Sequence, residues 1–151
     1  KENRFTWTQD NEPEQWTPDT PMPELEIEIP LKRPMFPFQA TGVAYNLIRK
    51  RVIVGDQPGL GKTTQAYATI IGAELQGSES FPCLIICPSS LKMNWQREIT
   101  EFTSKKAVIL NDAIKTNFHL YYKAGLADFY IVNFESLKKY FVESIDRLEK
   151  G

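Results

Sequence analysis

The chain has 151 residues, 42% of them hydrophobic and 25% charged. That is an ordinary globular composition, which excludes a disordered, collagenous or fibrous chain and suits one domain with a real core. Lys and Arg number 18 against 19 Asp and Glu, a formal net charge of −1 at pH 7, so no global basic field exists and any polyanion site must be local.

No run approaches the ~18 apolar residues of a membrane span, and Lys1 to Asp10 lack a signal peptide's apolar core, so the expected setting is soluble and intracellular. Residues 1–24 carry Pro13, Pro18, Pro21 and Pro23 among Glu, Asp and Thr and read as an extended arm that Trp7 and Trp16 could pin to the body. The alternation Leu25-Glu26-Ile27-Glu28-Ile29 predicts an edge strand with one wet face, ended by Pro30. Pro37 opens a helix that Phe38, Val43, Leu47 and Ile48 carry on an amphipathic spacing to about Lys50. Arg51-Val52-Ile53-Val54 reads as a short strand, Gly55 to Gly61 as a loop and Lys62 to Leu75 as a helix. Further strands are expected at Cys83 to Cys87, Ala107 to Leu110 and Phe129 to Val132. Helices are expected from Ser89, as N-cap, to Phe102, then at Phe118 to Ala124 and Glu135 to Lys150. Apolar strands alternating with helices predict an α/β fold, a parallel sheet with helices on both faces.

Cys83 and Cys87 share one face of a predicted strand without Cys-x-x-Cys spacing, and read as buried reduced thiols rather than a metal pair. His119, the single histidine, has no ligand spacing around it and reads as structural.

The stretch with the most chemistry is Asp56-Gln57-Pro58-Gly59-Leu60-Gly61-Lys62-Thr63-Thr64, between a predicted strand and a predicted helix. Gly59 and Gly61 allow backbone angles that turn successive N–H groups inward, so that a phosphate meets no β-carbon. The helix that starts at Lys62 adds its N-terminal dipole. Lys62 would reach the β- and γ-phosphates, and the Thr63 hydroxyl would ligate Mg²⁺. The pattern departs from G-x-x-x-x-G-K-[ST] at its start, where Asp56 stands in place of the first Gly. The other reading of this stretch is a glycine-rich strand-to-helix turn with a surface lysine.

Asp56 to Thr63 resembles the D-E-M-G-L-G-K-T loop of Swi/Snf-type helicase-like ATPases of superfamily two, with Asp56, Gly59, Leu60, Gly61, Lys62 and Thr63 shared. Pro37-Phe38-Gln39-x-x-Gly42-Val43 resembles that family's adenine-reading segment. Leu84 to Leu91 with Asn94-Trp95 and Glu98, and Ile131 to Leu137 (family pattern N-Y-E-x-L), resemble its later motifs. The four matches keep their order over residues 37–137. The P-F-Q form is similar to the annealing-helicase branch, and Gln57-Pro58 for the usual Glu-Met points to a bacterial or phage relative. Cytoplasmic placement is then expected, or nuclear if the source is eukaryotic.

The resemblance implies a partial RecA-like P-loop lobe over residues 25–151, with ATP and Mg²⁺ as cofactors and double-stranded DNA as the partner of the whole protein. It gives Gln39 a role reading adenine, because one amide offers both a donor and an acceptor; otherwise Gln39 is a solvent-facing helix residue. Asp56, Gly59, Leu60, Gly61, Lys62, Thr63 and Thr64 would form the nucleotide cradle, with Lys62 and Thr63 the catalytic members. Ser89 and Ser90 in the Pro88-Ser89-Ser90 turn, with Lys92, would meet a DNA phosphate, although the turn also reads as a plain helix cap. Trp95 reads as core packing. Lys92, Lys105, Lys106, Lys138 and Lys139 also read as solvated surface, and only placement on one rim would make them a DNA track.

No Asp-Glu dipeptide occurs in the 151 residues, whereas the family's second acidic motif is Asp-Glu-x-His. That motif and a second lobe are expected beyond Gly151, and the isolated chain is expected to be inactive as an ATPase. Two other readings stay open: a small self-contained P-loop kinase or nucleotide-binding protein, and a non-catalytic interaction module with the same fold.

Overall fold

The computed structural model describes residues 21–55, 59, 61–111 and 118–137, with 118 and 119 described for their backbone alone. Its elements are α1 (Pro37–Arg49), α2 (Lys62–Leu75), β1 (Cys83–Cys87), α3 (Lys92–Phe102), β2 (Ala107–Ile109), α4 (Phe118–Ala124) and β3 (Phe129–Asn133). Single 3₁₀ turns sit at Ser89–Leu91 and Phe134–Ser136.

The strands form a parallel sheet in the order β1-β3-β2, with Cys83 opposite Phe129, Cys87 opposite Asn133 and Ala107 opposite Phe129. Side chains alternate across a strand, and β3 therefore divides the core in two. Phe129 and Ile131 join Val43, Tyr67, Ala68, Ile71, Cys87 and Ile99 on the face covered by α1, α2 and α3. Tyr130 and Val132 face the other way, with Leu110, Ala127 and Tyr121 of α4. The expectation of helices on both faces holds.

Bounds of α2, β1 and α4 agree with the sequence pattern, and Trp95 packs against the larger cluster as expected. Two predicted strands are absent. Leu25 to Ile29 keeps its alternation, since Leu25, Ile27 and Ile29 are turned inward while Glu26 and Glu28 are exposed, yet no described strand lies beside it. Its apolar side instead covers α2, with Ile27 and Ile29 meeting the backbone at Gly72. The chain is then tied to the end of α3, where Lys32 N–H donates to Phe102 O at 2.8 Å and the Arg33 guanidinium lies 4.2 Å from the Phe102 ring centroid. Arg51 to Val54 is likewise outside the sheet, with Ile53 98% exposed.

The expected helix from Ser89 is split into the 3₁₀ turn and α3. Pro88 and Leu91 occupy the two N-cap positions, and neither makes a side-chain capping bond, so the expected cap role of Ser89 is not realised. The expected arm at 1–24 and the helix at 135–150 lie largely outside the described residues, as do the side chains of His119, Lys138 and Lys139.

The ion pair between Lys105 Nζ and Glu74 Oε2 at 2.9 Å anchors one end of α2, and Tyr67, Ala68 and Ile71 lay the helix along the sheet with Cys87, Phe129 and Ile131. Glu74 is near the end of α2, and Lys105 precedes β2. The C-terminal end of α2 thus lies where the strands begin, and its 14 residues rise about 20 Å toward the rim where they end. Gly61 at the start of α2 is therefore carried to the carboxyl-end rim of the sheet, the place where open α/β sheets bind ligands.

Candidate nucleotide site

The phosphate loop enters α2 through glycines held where other residues are strained. Gly59 has φ +86° and Gly61 φ +80°. A β-carbon at Gly59 would meet nothing within 4 Å, so the backbone there opens onto free space. Gly61 is the N-cap of α2 and has no side chain to occupy the first N–H groups of the helix. Those donors and the helix dipole favour an anion. Lys62 is exposed as the first helical residue, Thr63 is half-buried and Thr64 is buried. The Tyr67 hydroxyl donates to Thr64 Oγ1 at 3.3 Å, which ties the first turn of α2 into the core. Asp56 and Leu60 lie outside the described residues. The described residues fit a phosphate chain: an open, positive-φ backbone, helix-end donors with no side-chain cap, one exposed ammonium and one half-buried hydroxyl.

Gln39 is only 4% exposed, which excludes the solvent-facing reading. It is the third residue of α1, and its Oε1 accepts the backbone N–H of Phe36 at 3.0 Å. That is one arm of a capping box, closed from the helix side alone because the Phe36 side chain has no acceptor. The Gln39 Nε2 sits against Gly61, where an added β-carbon would collide with it. The residue assigned to the base thus touches the last glycine of the phosphate loop.

Sequence reasoning missed the amides that support this contact. Gln65 on α2 is 2% exposed, and its Oε1 occupies the space that a β-carbon at Gly42 of α1 would need. One turn further, Asn46 Nδ2 donates to Thr69 Oγ1 at 3.1 Å, and Thr69 Oγ1 donates to Gln65 O at 2.6 Å. The available signal was periodicity. Gln39, Val43 and Asn46 share one face of α1, and Gln65, Ala68 and Gly72 share one of α2, so polar residues at helix-contact spacing mark a polar interface.

The second group of expected residues lies at the end of β1. Ser89 and Ser90 are exposed, and Lys92 is half-buried with Nζ donating to Asn133 Oδ1 at 3.3 Å. Lys105 is tied at the opposite rim, bound to Glu74 and 4.5 Å from the Phe81 ring centroid, and has no place beside them. Cys83 and Cys87 are free thiols, and burial pushes both above the ordinary thiol range, slightly opposed at Cys87 by Lys92. No group of three or more potential metal ligands occurs among the described residues. A cleft of about 510 Å³ lined by Tyr45, Arg49, Arg51, Val52 and Ile53 shares no residue with the phosphate loop.

A parallel sheet with a glycine loop leading into a helix at its carboxyl-end rim is the plan of a RecA-like ATPase lobe. The chain belongs to the SNF2-related domain family, whose pattern matches residues 38–141, and with it to the Swi/Snf-type helicase-like ATPases. The human protein named DNA annealing helicase and endonuclease ZRANB3 is 41% identical over 73 residues, 48% of this chain and 6% of its own length. An uncharacterized ATP-dependent helicase of Mycoplasma pneumoniae is 34% identical over 87 residues, 57% of this chain and 8% of its own. The chain thus spans less than a tenth of these curated relatives. Among solved structures, the Sulfolobus solfataricus SWI2/SNF2 ATPase core in complex with dsDNA superposes with a TM-score of 0.62 at 24% identity, over 76% of this chain and 24% of that one. At that identity the likeness is one of fold.

Proposed function

We propose that this chain is the ATP-binding part of a DNA-dependent ATPase that moves along duplex DNA. The observation that carries the reading is the phosphate loop itself, with Gly59 and Gly61 both at positive φ, feeding a helix that begins with exposed Lys62. The Lys62 ammonium neutralises β- and γ-phosphate charge, and the N–H groups from Gly61 onward hold the phosphate oxygens. Thr63 presents its hydroxyl to Mg²⁺. Gln39, fixed between the start of α1 and Gly61, reads the adenine edge and excludes guanine. Bound ATP supplies the phosphoryl group whose loss drives the motor, while these residues bind and orient it. The 151 residues contain no Asp-Glu pair to position the attacking water, so binding is the step they account for.

Duplex DNA is assigned to the exposed Pro88-Ser89-Ser90 turn and Lys92, on the rim to which Gly61 is also carried. The dsDNA in the Sulfolobus complex supports that class of partner. With a net charge of −1, this piece offers only a few phosphate contacts, which makes its share of DNA binding sequence-independent and strongly salt-dependent.

The test is Lys62→Ala in the full-length protein. DNA-stimulated ATP turnover should fall at least ~100-fold, the cost of losing about 2.7 kcal/mol or more of charge stabilisation at the transition state. The circular-dichroism spectrum and thermal midpoint should stay as in wild type, because Lys62 is exposed. Unchanged turnover would remove the loop from the mechanism.

A further inference from the structure

β1 and β3 end side by side, with Cys87 opposite Asn133, and each is followed by a three-residue 3₁₀ turn, β1 after Pro88 and β3 directly. Three hydrogen bonds meet on the Asn133 side chain between those turns. Lys92 Nζ donates to Oδ1 at 3.3 Å, Ser136 Oγ donates to the same oxygen at 2.8 Å, and Nδ2 donates to Glu135 Oε2 at 2.6 Å. The chemistry fixes which way the amide points, because an ammonium can only donate and a carboxylate can only accept. Asn133 thus stands between a cation and an anion, its oxygen toward Lys92 and its nitrogen toward Glu135. The Glu135 carboxyl is held below the ordinary carboxylate range, first by its own backbone N–H, then by Asn133 and by the Lys92 charge.

We propose that Asn133 is a positioning residue for DNA: it orders the Lys92 ammonium beside exposed Ser89 and Ser90 and keeps it from pairing with Glu135, leaving its charge for one backbone phosphate. This inference rests on the DNA-binding reading of the same rim. A lysine side chain has up to about 2 kcal/mol of rotamer entropy to lose on being fixed. A neutral amide oxygen orders the ammonium beforehand without cancelling its charge. A carboxylate in that position would order it equally well and neutralise it. The Asn133 amide also joins turns that follow different strands, so the phosphate-facing groups of β1 and β3 keep one relative geometry.

The experiment measures the affinity of the full-length protein for a fluorescein-labelled blunt duplex across a NaCl series, with binding of a fluorescent ATP analogue as the second readout. Lys92→Ala should weaken duplex binding roughly tenfold and lower the slope of log K against log salt by about one. Asn133→Ala should reproduce both changes, because Lys92 then collapses onto Glu135. Asn133→Ala in a Lys92→Ala background should add nothing. Glu135→Gln on top of Asn133→Ala should restore most of the slope, a rescue that a purely structural role of Asn133 would not give. ATP-analogue binding should be unchanged throughout.

The isosteric Asn133→Asp covers the case in which the alanine variant fails to fold. It should weaken duplex binding by pairing with Lys92, and its effect should largely vanish once Lys92 is Ala. Wild-type duplex affinity in Asn133→Ala, additive losses, or a slope that Glu135→Gln does not restore would each overturn the inference. Lys92→Ala that binds duplex like wild type would overturn it while leaving the DNA reading in place. A wild-type protein with no duplex affinity would remove both.

Discussion

Gln39 and Gly61 are in contact, and each limits what the other can be. A β-carbon at Gly61 would strike the Gln39 amide, and the φ of +80° would cost another residue about 1–2 kcal/mol in any case. Gln39→Ala removes the amide from both of its neighbours. In the full-length protein the variant should lose most of its preference for ATP over GTP, a change of roughly 1–3 kcal/mol when a base edge goes unmatched, seen as the ratio of the two nucleotides' dissociation constants. An unchanged ratio would make Gln39 a helix-capping residue only. The donor-and-acceptor chemistry of Gln39 was legible in the sequence, as were the positive-φ glycines. Its burial was not, because that depends on α2 coming to rest against α1 through Gln65 at Gly42 and Asn46 at Thr69.

At the scale of elements, periodicity located what was periodic and failed where a segment needed a partner. Fourteen residues of α2 and five of β1 appear where the pattern placed them. Leu25 to Ile29 shows why the same reasoning erred: alternation states which side chains turn inward, and they do, but hydrogen-bond partners are set by what lies beside the backbone. Val52 to Val54 is apolar like a strand and likewise stands outside the described sheet. The junction before it carries strain. Lys50 ends α1 at φ +64°, with its N–H donating to Asn46 O at 2.8 Å, a left-handed position that glycine occupies without a β-carbon penalty. Lys50→Gly should raise stability by about 0.5–1 kcal/mol, the relieved strain being partly offset by the greater freedom of an unfolded glycine. The measurement is the urea midpoint, and a fall in that midpoint would mean that the lysine side chain contributes more than the strain costs.

Among the described residues, burial holds two phenols and two thiols in the neutral form, Cys83 being half-buried and Cys87 buried. Burial raises the Tyr67 phenol, with Thr64 opposing the shift, and raises Tyr130, Cys83 and Cys87 as well. A group whose folded pKa is raised stabilises fully below its unfolded value and loses that contribution as pH rises through the folded one. Stability should therefore be level from neutral pH to ~8.5, where unfolded thiols begin to ionise, and fall further above ~10 with the phenols. Denaturant midpoints at neutral pH and at increasing alkaline pH check this, with Cys87→Ala expected to soften the first part of the fall. A midpoint that held level through pH ~10 would show these groups to be better solvated than their burial implies.

The strand order also sets a timetable. β3 is the last strand of the three to be made, yet it lies in the middle, and among the described strands β1 and β2 join only through it. Until Phe129 to Asn133 leaves the ribosome, neither earlier strand has its partner in the described sheet. Asn133 comes 46 positions after Cys87, its partner in the finished sheet, a stretch that takes roughly 2–9 s to translate at ~5–20 residues per second. Through that interval the Cys83 to Cys87 run, apolar and of high strand propensity, lacks its β3 neighbour, and an unpaired edge is the condition under which a nascent chain pairs with a neighbour or requires a chaperone.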